Sequence, residues 1–380
     1  AKRYKRRQIE VLRIENTHRR GGDDMPLIIE GGRVPTRWAE KKRSGAVVAI
    51  DRYIKRRECV SIALINNMPD AALEDTELQF FNLLDIASGD VPVLIKLCSL
   101  TGVPRTERGQ RHLNDFYFGL DELWNNRFDA VIVTGTEPRQ PDLRQEPYWA
   151  HLTNILDWAE RNTASTVLSC LAAHAGVLHS DGIQRHRLPD KQFGVFESAK
   201  TSEHLLTRQA PPLVRFPHSR WNEVQETALT ACGYEVLTKS DQAGVDVFVK
   251  QKKKSLFVHF QGHPEYKAET LLKEYRRDIK RFLRGERDTY PTMPHGYFDE
   301  TAVKVLAEFQ RTALADRREE HLVSFPEELE KTLQNTWQFS ATCIYRNWLQ
   351  YVLAKKAEES AFAPVTGSYG PIERKRSAVL

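Results

Sequence analysis

The sequence predicts an α/β fold built on a mainly parallel sheet flanked by helices. Two observations carry this prediction: short β-branched runs begin near residue 58, and longer segments of helical periodicity separate them. Strands that alternate with helices usually form parallel sheets covered on both faces. Closely spaced apolar runs later in the chain predict added antiparallel strands, and the C-terminal region returns to helical patterning.

Each predicted element follows from a local pattern of side chains. The parallel strands are predicted at Cys59–Asn66, Val91–Leu100, Ala130–Thr134 and Ser165–Cys170. The helices between them are predicted at Ala72–Ala87 and Glu146–Arg161. The antiparallel strands are predicted at Glu235–Ser240, Asp246–Lys250 and Leu256–Phe260. Apolar periodicity over Asp299–Lys356 predicts the C-terminal helices.

The chain length of 380 residues permits one large α/β domain with extensions, or two domains, and the 41% hydrophobic content permits a sizeable core. We expect four regions along the chain. They are a basic N-terminal extension at 1–57, a catalytic core at 58–290, a C-terminal helical region packed on that core at 291–360, and a flexible tail at 361–380.

Composition also restricts the class of protein. No apolar run approaches the length of a membrane span, and the basic N-terminus has no apolar stretch typical of a signal peptide. The five cysteines are an odd number without a CxxC pair, so neither a disulfide framework nor a zinc site is predicted. We expect a cytoplasmic protein without a metal or bound cofactor. The basic extension has few aromatic residues, which makes nucleic-acid binding less expected than a solvated lead-in.

Cys170 is the first candidate for chemistry. It ends an apolar strand, and the small-residue helix start LAAHAGVLH follows it. A sharp strand-to-helix turn can present a nucleophile, and a helix N-terminus favours the thiolate. The backbone N–H of Leu171 can stabilise an oxyanion at the same turn. An inert core cysteine is the plainer interpretation of this position alone.

The segment Gln261-Gly-His-Pro-Glu-Tyr266 strengthens the case for catalysis. Pro264 favours extended backbone at His263. Residues two apart on an extended segment point the same way, so His263 and Glu265 can face one site. Glu265 would then fix the imidazole tautomer while His263 accepts a proton. Together with Cys170, these residues predict a nucleophile, a base and an orienting acid.

The strand-end cysteine and the GHPE segment resemble the class I glutamine amidotransferase fold, and the surrounding text resembles the homoserine O-acyltransferases (the homoserine O-succinyltransferase family). The matching segments are Asn67-Met-Pro69, Asp75-Thr-Glu-Leu-Gln79, His112-Leu-Asn-Asp-Phe-Tyr117, Phe128-Asp-Ala-Val-Ile-Val-Thr-Gly135, Tyr148-Trp149, Ser165-Thr…Cys170, Gly194-Val-Phe-Glu197, Pro217-His-Ser-Arg220, Gly262-His-Pro-Glu-Tyr266, Thr270-Leu…Glu274-Tyr…Arg277-Asp278 and Asn347-Trp-Leu…Tyr351. They are collinear over most of the chain, which makes a chance match very improbable.

This resemblance implies a ping-pong acyl transfer in methionine biosynthesis. Cys170 would take the acyl group from acyl-CoA, and L-homoserine, activated by His263, would then attack the thioester. The family's amino-acid-binding positions fall on Lys191, Ser219 and Arg277, of which Arg277 suits an α-carboxylate. His218 and Arg220 are expected to support the site. We expect small-molecule substrates and a homodimer.

Several positions depart from the family pattern. The family usually carries a Lys-Lys pair after Met-Pro, whereas this chain has Asp70-Ala71-Ala72, with Lys41, Lys42 and Arg43 as candidate substitutes. Leu171 and His174 replace the Trp and Gln that usually follow the nucleophile. His174 can contact the site or simply pack its helix.

Arg139 falls at the position that sorts acyl donors, where the family carries Glu for acetyl and Gly for succinyl. A guanidinium can pair with the free carboxylate of a succinyl group, so we expect succinyl-CoA as the donor.

Several alternatives stay open from the sequence. The same chemistry can use acetyl-CoA or another hydroxy amino acid such as serine as substrates. A glutamine amidotransferase-type cysteine hydrolase is a second alternative, although Leu168-Ser-Cys-Leu-Ala172 lacks the usual glycines around the nucleophile. A third is a non-catalytic descendant that binds nucleic acid through its basic extension.

Overall fold

A single mixed sheet organises the computed structural model, which describes residues 27–29 and 59–362. Its ten strands among these residues are β1 (Leu27–Ile29), β2 (Val60–Ile65), β3 (Val93–Cys98), β4 (Ala130–Val133), β5 (Ser165–Ser169), β6 (His186–Lys200), β7 (Leu213–Glu223), β8 (Glu235–Ser240), β9 (Gly244–Lys252) and β10 (Ser255–Phe260). The spatial order is β1-β3-β2-β4-β5-β10-β9-β8-β6-β7. The first six strands in that order pair in parallel, and the others join them through antiparallel ladders. The predicted mixed sheet is confirmed.

Helices cover the sheet and extend beyond it. They are α1 (Asp70–Ser88), α2 (Glu107–Phe116), α3 (Asp121–Asn125), α4 (Trp149–Asn162), α5 (Leu171–Asp181), α6 (Glu226–Ala231), α7 (Thr270–Leu283), α8 (Glu300–Ala315) and α9 (Gln338–Phe362), with short 3₁₀ turns at Leu143–Gln145, Leu205–Thr207, Glu319–Ser324 and Glu327–Thr332. The two helices predicted between the parallel strands correspond to α1 and α4. The predicted C-terminal helices are α8 and α9. No helix within the described ranges combines the length and apolar character needed to cross a membrane.

The central strands are buried along their whole length, which explains why apolar and β-branched residues predominate in them. Every residue of β2, β3, β4, β5 and β10 is buried. Helix α9 closes one side of this core, and its Trp348 donates an indole N–H to Ser165 Oγ at 2.9 Å. The C-terminal helix is thereby tied to the strand that carries Cys170.

The long β6–β7 hairpin and strand β1 were not predicted. The first half of β6 is polar and largely exposed, and its pairing with β7 slips between Arg187 and Gln192. No regular alternation therefore marks it in the sequence. Strand β1 comes from the predicted N-terminal extension, pairs in parallel with β3 and forms one edge of the sheet. The rest of that extension, with Lys41, Lys42 and Arg43, lies outside the described residues, as does the tail beyond 362.

The sheet order explains where a site can form. Strand β5 lies between β4 and β10, and all three run in parallel. Their carboxyl ends therefore lie at the same edge of the sheet. The segments that leave these ends are the 134–140 loop, the Cys170 turn and the GHPE turn, so three motifs far apart in sequence become neighbours.

Candidate active site

Cys170 occupies a strained turn between β5 and α5. Its φ of 51° and ψ of −110° lie in a region that residues other than glycine rarely adopt, at a cost of about 1–3 kcal/mol. Its backbone N–H donates to Phe260 O at 2.8 Å, which ties the turn to β10. Its carbonyl accepts from the N–H of Ala173 at 3.0 Å and begins α5. The thiol is partly exposed, as a nucleophile requires.

His263 and Glu265 form a buried pair at the end of β10. Glu265 Oε1 lies 2.8 Å from His263 Nδ1, and both side chains are buried. The backbone N–H of His263 donates to Pro217 O at 2.7 Å, and the imidazole stacks on Tyr266 with ring centroids 4.2 Å apart. These contacts hold the ring from its backbone and from one face. The two side chains meet across a turn and not along the extended segment that the sequence predicted: Pro264 and Glu265 are its central residues, and the N–H of Tyr266 donates to His263 O at 3.2 Å.

The electrostatics couple this pair to Cys170. Burial acts to lower the pKa of His263, but the charges of Cys170 and Glu265 and their hydrogen bonds outweigh it. The pKa of His263 is consequently raised well above the ordinary histidine value. A protonated imidazole beside a thiolate is the arrangement of an activated cysteine.

The start of α5 offers a place for developing negative charge. The backbone N–H of Leu171 follows the nucleophile, and Gly135, after β4, lies against it. A methyl group at position 135 would lie 3.1 Å from both the nitrogen and Cβ of Leu171. Gly135 thus keeps the space beside this N–H open. The sequence analysis assigned no role to Gly135. Its position just after a predicted strand was the signal that could have marked it as part of the site.

The three residues expected to bind the amino acid come together from three elements. Lys191 lies on β6, Ser219 on β7 and Arg277 on α7. All three contact acidic residues of α7 that sequence reasoning did not assign a role, Glu274 and Asp278. Lys191 Nζ lies 3.0 Å from Asp278 Oδ2 and 3.5 Å from Glu274 Oε2, while Ser219 Oγ donates to Glu274. Arg277 Nε donates to Asp278 Oδ1 at 3.0 Å.

Glu274 is the centre of this cluster. Burial tends to raise its pKa, but the charges of Lys191 and Arg277 prevail and lower it, so the carboxylate stays ionised. Its Oε1 accepts from Tyr266 Oη at 2.7 Å, and Tyr266 stacks on His263. The cluster therefore adjoins the Cys170–His263–Glu265 group. The spacing of Glu274 and Asp278, one helical turn apart, was the signal that could have identified them.

His218 and Arg220 belong to a hydrogen-bond and charge network that supports the backbone of the GHPE turn. The Nε of Arg220 donates to His218 Nδ1 at 3.2 Å, and His218 Nε2 lies 3.6 Å from Asp246 Oδ1. The same Asp246 oxygen accepts the N–H of Gly262 at 2.9 Å. Burial lowers the pKa of His218 despite the nearby carboxylate, which keeps the imidazole neutral. The network braces the backbone next to His263.

The residues that depart from the family pattern have structural roles. Asp70 accepts hydrogen bonds from Thr106 N and Oγ1, both at 2.6 Å, and pairs with Arg105 at 3.1 Å. His174 is buried, contacts Gln261 Oε1 at 2.9 Å and has a pKa lowered by burial to about 3. The packing interpretation of His174 is the one that these contacts favour.

Arg139 is exposed on the loop after β4. The backbone N–H groups of Arg139 and Gln140 both donate to Glu146 Oε1, at 2.5 and 2.7 Å. Its side chain borders a cavity of about 500 Å³ that also touches His174. The position predicted to sort acyl donors therefore borders a cavity that begins one helical turn beyond Cys170.

No group of three or more His, Cys, Asp or Glu side chains within residues 27–29 and 59–362 has the arrangement of a metal site. The five cysteines are all free thiols.

Comparisons with known proteins identify close relatives. The sequence profile described as "Homoserine O-succinyltransferase" matches residues 43–359. A homoserine O-succinyltransferase from Rhodopseudomonas palustris is 44% identical over 76% of this chain and 87% of its own. One from Methylorubrum extorquens is 45% identical over 81% of this chain and 92% of its own. Among solved structures, a glutamine amidotransferase from Methylobacillus flagellatus superposes with a TM-score of 0.44 at 13% identity, over 77% of this chain and 95% of that protein.

Proposed function

The chain belongs to the homoserine O-succinyltransferase family, and from this membership we propose that Cys170 carries a succinyl group from succinyl-CoA to the hydroxyl of L-homoserine. One observation supports the covalent route above all. The partly exposed thiol stands at a strained strand-to-helix turn, beside a histidine whose pKa is raised by that thiol and by Glu265. The reaction belongs to methionine biosynthesis.

The first half-reaction forms the thioester. The Sγ of Cys170 attacks the thioester carbon of succinyl-CoA, and the N–H of Leu171 stabilises the oxyanion of the tetrahedral intermediate. The bond from that carbon to the CoA sulfur then breaks, and the imidazolium of His263 gives its proton to the departing sulfur. The products are a succinyl-cysteine and free CoA, and His263 is left neutral.

The second half-reaction uses the neutral His263 as a base. It takes the proton of the homoserine hydroxyl while the oxygen attacks the succinyl-cysteine carbonyl. The carbon–sulfur bond breaks, O-succinylhomoserine leaves, and the thiolate and imidazolium are restored. Glu265 stabilises the imidazolium each time it forms.

Homoserine is a zwitterion, and the polar cluster near His263 has both signs of charge. Arg277 and Lys191 match its carboxylate, Ser219 adds a hydroxyl, and the ionised Glu274 matches its ammonium group. The link from Glu274 through Tyr266 to His263 puts this cluster beside the base. We propose that it positions the homoserine hydroxyl for attack.

We also propose that Arg139 contributes to the preference for a succinyl donor, because its guanidinium can pair with a carboxylate that acetyl lacks. Turnover with succinyl-CoA and with acetyl-CoA should be compared for the wild type and Arg139→Gly. Equal or better acetyl transfer by the wild type would contradict this preference.

The covalent route can be tested without an acceptor. The protein is incubated with succinyl-CoA alone, and intact-mass measurement and peptide mapping then identify the modified residue. We expect one succinyl adduct on Cys170, its absence in Cys170→Ala, and its retention in Cys232→Ala, which removes another partly exposed thiol. A folded wild type that carries no adduct with any acyl-CoA donor would refute the mechanism.

A further inference from the structure

We propose that a cationic cavity beside α5 binds the free carboxylate of the succinyl group, with Arg185 as the principal binding residue. The proposal rests on the proposed function, since it concerns the acyl group that Cys170 would carry. We define the arginine cavity as the space bordered by Arg139, Arg185 and Arg187, of about 500 Å³. It lies between the loop after β4, helix α5 and the segment that enters β6.

The arginine cavity presents positive charge to a ligand. Within the described part of the chain, none of its three arginines forms a salt bridge with a carboxylate. Arg187 stacks on Trp221, with its guanidinium 4.4 Å from the ring centroid. Arg185 is half-buried and donates from Nη2 to Pro141 O at 3.2 Å. An anion that enters the cavity would therefore meet guanidinium groups that no ion pair has neutralised.

The nearby acidic residues are already engaged. Asp142, which also borders the cavity, pairs with Arg144 through contacts of 2.8 to 3.0 Å. The charge of Glu146 acts to raise the pKa of Arg185. Its Oε1, however, is occupied by hydrogen bonds from two backbone N–H groups of the loop after β4. Burial lowers the pKa of Arg185, and its neighbour Arg187 lowers it further. A carboxylate ligand would oppose this lowering of the pKa, because it would supply a counter-charge to a partly desolvated guanidinium.

The cavity lies within reach of a succinyl group attached to Cys170. His174 and Leu178 border the cavity one and two helical turns beyond Cys170. At 1.5 Å of rise per residue, the cavity begins about 6 Å along the helix from the nucleophile. The carboxylate carbon of an extended succinyl group stands three carbon–carbon bonds, about 4 Å, from the thioester carbon. The CoA phosphates lie at the far end of the pantetheine arm, so the acyl carboxylate is the anion that the near end of the cavity suits.

Arg185 is better placed than Arg139 to bind a carboxylate. Arg139 is exposed, so water competes for its guanidinium and screens its charge. Arg185 is half-buried and is held by a backbone carbonyl, which orients its donors at little further entropic cost. We therefore expect Arg185 to discriminate between succinyl and acetyl more strongly than Arg139 does.

The test compares Arg185→Met with Arg318→Met, a control that removes an exposed guanidinium paired with Asp316, away from the residues that border the cavity. Each variant is assayed for Cys170 acylation and turnover with succinyl-CoA, acetyl-CoA and succinyl-N-acetylcysteamine, a succinyl thioester without phosphates. Arg185→Met should lower kcat/KM for both succinyl donors by about 10- to 100-fold, the loss of one charge-assisted hydrogen bond. The efficiency with acetyl-CoA should change by less than about threefold, and Arg318→Met should resemble the wild type with all donors.

Two results would overturn the proposal. One is an equal loss with all three donors, which indicates a purely structural role. The other is a loss with both CoA donors but not with succinyl-N-acetylcysteamine, which assigns the arginine to the phosphates. A wild type that acylates no cysteine would instead refute the proposed function.

A measurement on the wild type keeps the proposal testable even where Arg185→Met does not fold. The methyl ester of the succinyl donor removes the carboxylate charge and keeps the acyl chain. We expect it to be used at least tenfold less efficiently than succinyl-CoA, and equal use would overturn the proposal.

Discussion

Replacing Glu265 with glutamine removes one negative charge from the active site while it keeps the shape of the side chain. In the wild type, Glu265 Oε1 accepts the Nδ1 proton of His263 at 2.8 Å, and both groups are buried. This contact supports the imidazolium, which must form in both half-reactions of the proposed mechanism. The variant should therefore lower the rate of acyl transfer without a loss of packing.

The magnitude follows from the kind of contact that is lost. A hydrogen bond to a charged group contributes about 1.5–3 kcal/mol. At 1.36 kcal/mol for each factor of ten in rate, kcat/KM should fall by about 10- to 150-fold. An amide that turns its NH₂ toward Nδ1 would favour the wrong tautomer and increase the loss further.

Single-turnover acylation of Cys170 by succinyl-CoA measures this rate, and NMR titration of labelled histidine measures the cause. The carboxylate helps to raise the pKa of His263, so the variant should titrate at a lower pH than the wild type. The imidazolium is then lost earlier as the pH rises. Ser169→Ala is the control, because its hydroxyl lies 3.4 Å from Glu265 Oε1 and makes only a long contact. A loss smaller than threefold, or an unchanged His263 titration, would refute the reasoning.

Three further predictions address other parts of the molecule. Burial lowers the pKa of His259 to about 3, so below about pH 6.5 this residue is protonated in the unfolded chain but neutral in the folded chain. As the pH falls from 6 to 4, His259 should therefore lower the free energy of unfolding by about 1.4 kcal/mol per pH unit. Urea unfolding of His259→Phe should show a shallower slope by that amount, and an unchanged slope would contradict the assignment. Gly135→Ala brings a methyl group 3.1 Å from Leu171 N and should slow acylation by about 100-fold; a normal rate in single-turnover assays would exclude an oxyanion site there. Arg277→Lys keeps the charge but loses the planar fork, so steady-state kinetics should show the KM for homoserine raised about tenfold with kcat little changed. A fall in kcat alone would argue against a binding role.

Much of the parallel sheet could be predicted because its signals are local. Strands β2 to β5 are buried along their whole length, so each appears as a short run of mainly apolar or β-branched residues. The pairing of β8, β9 and β10 was equally visible, since short turns join them. The β6–β7 hairpin was missed because its register break and polar first half hide the alternation.

The candidate nucleophile and base could also be proposed from the sequence alone. A cysteine at the end of an apolar strand and a His-Pro-Glu segment after another strand are local patterns that mark candidate catalytic groups. The extended backbone predicted for the second segment is, however, a turn in the structure. The sequence indicated in addition that Lys191, Ser219 and Arg277 serve the same substrate, although only through a resemblance to relatives.

Tertiary structure alone decided how these groups act on one another. The order β4-β5-β10 brings Gly135, Cys170 and His263 to one edge, and the raised pKa of His263 exists only because Cys170 and Glu265 lie beside it. The roles proposed for Glu274 and for the half-buried Arg185 likewise depend on neighbours tens of residues away. Local sequence records which chemical groups are present and how each short segment folds. Burial and charge pairing arise from long-range packing, which is why the electrostatics of the site became visible only in three dimensions.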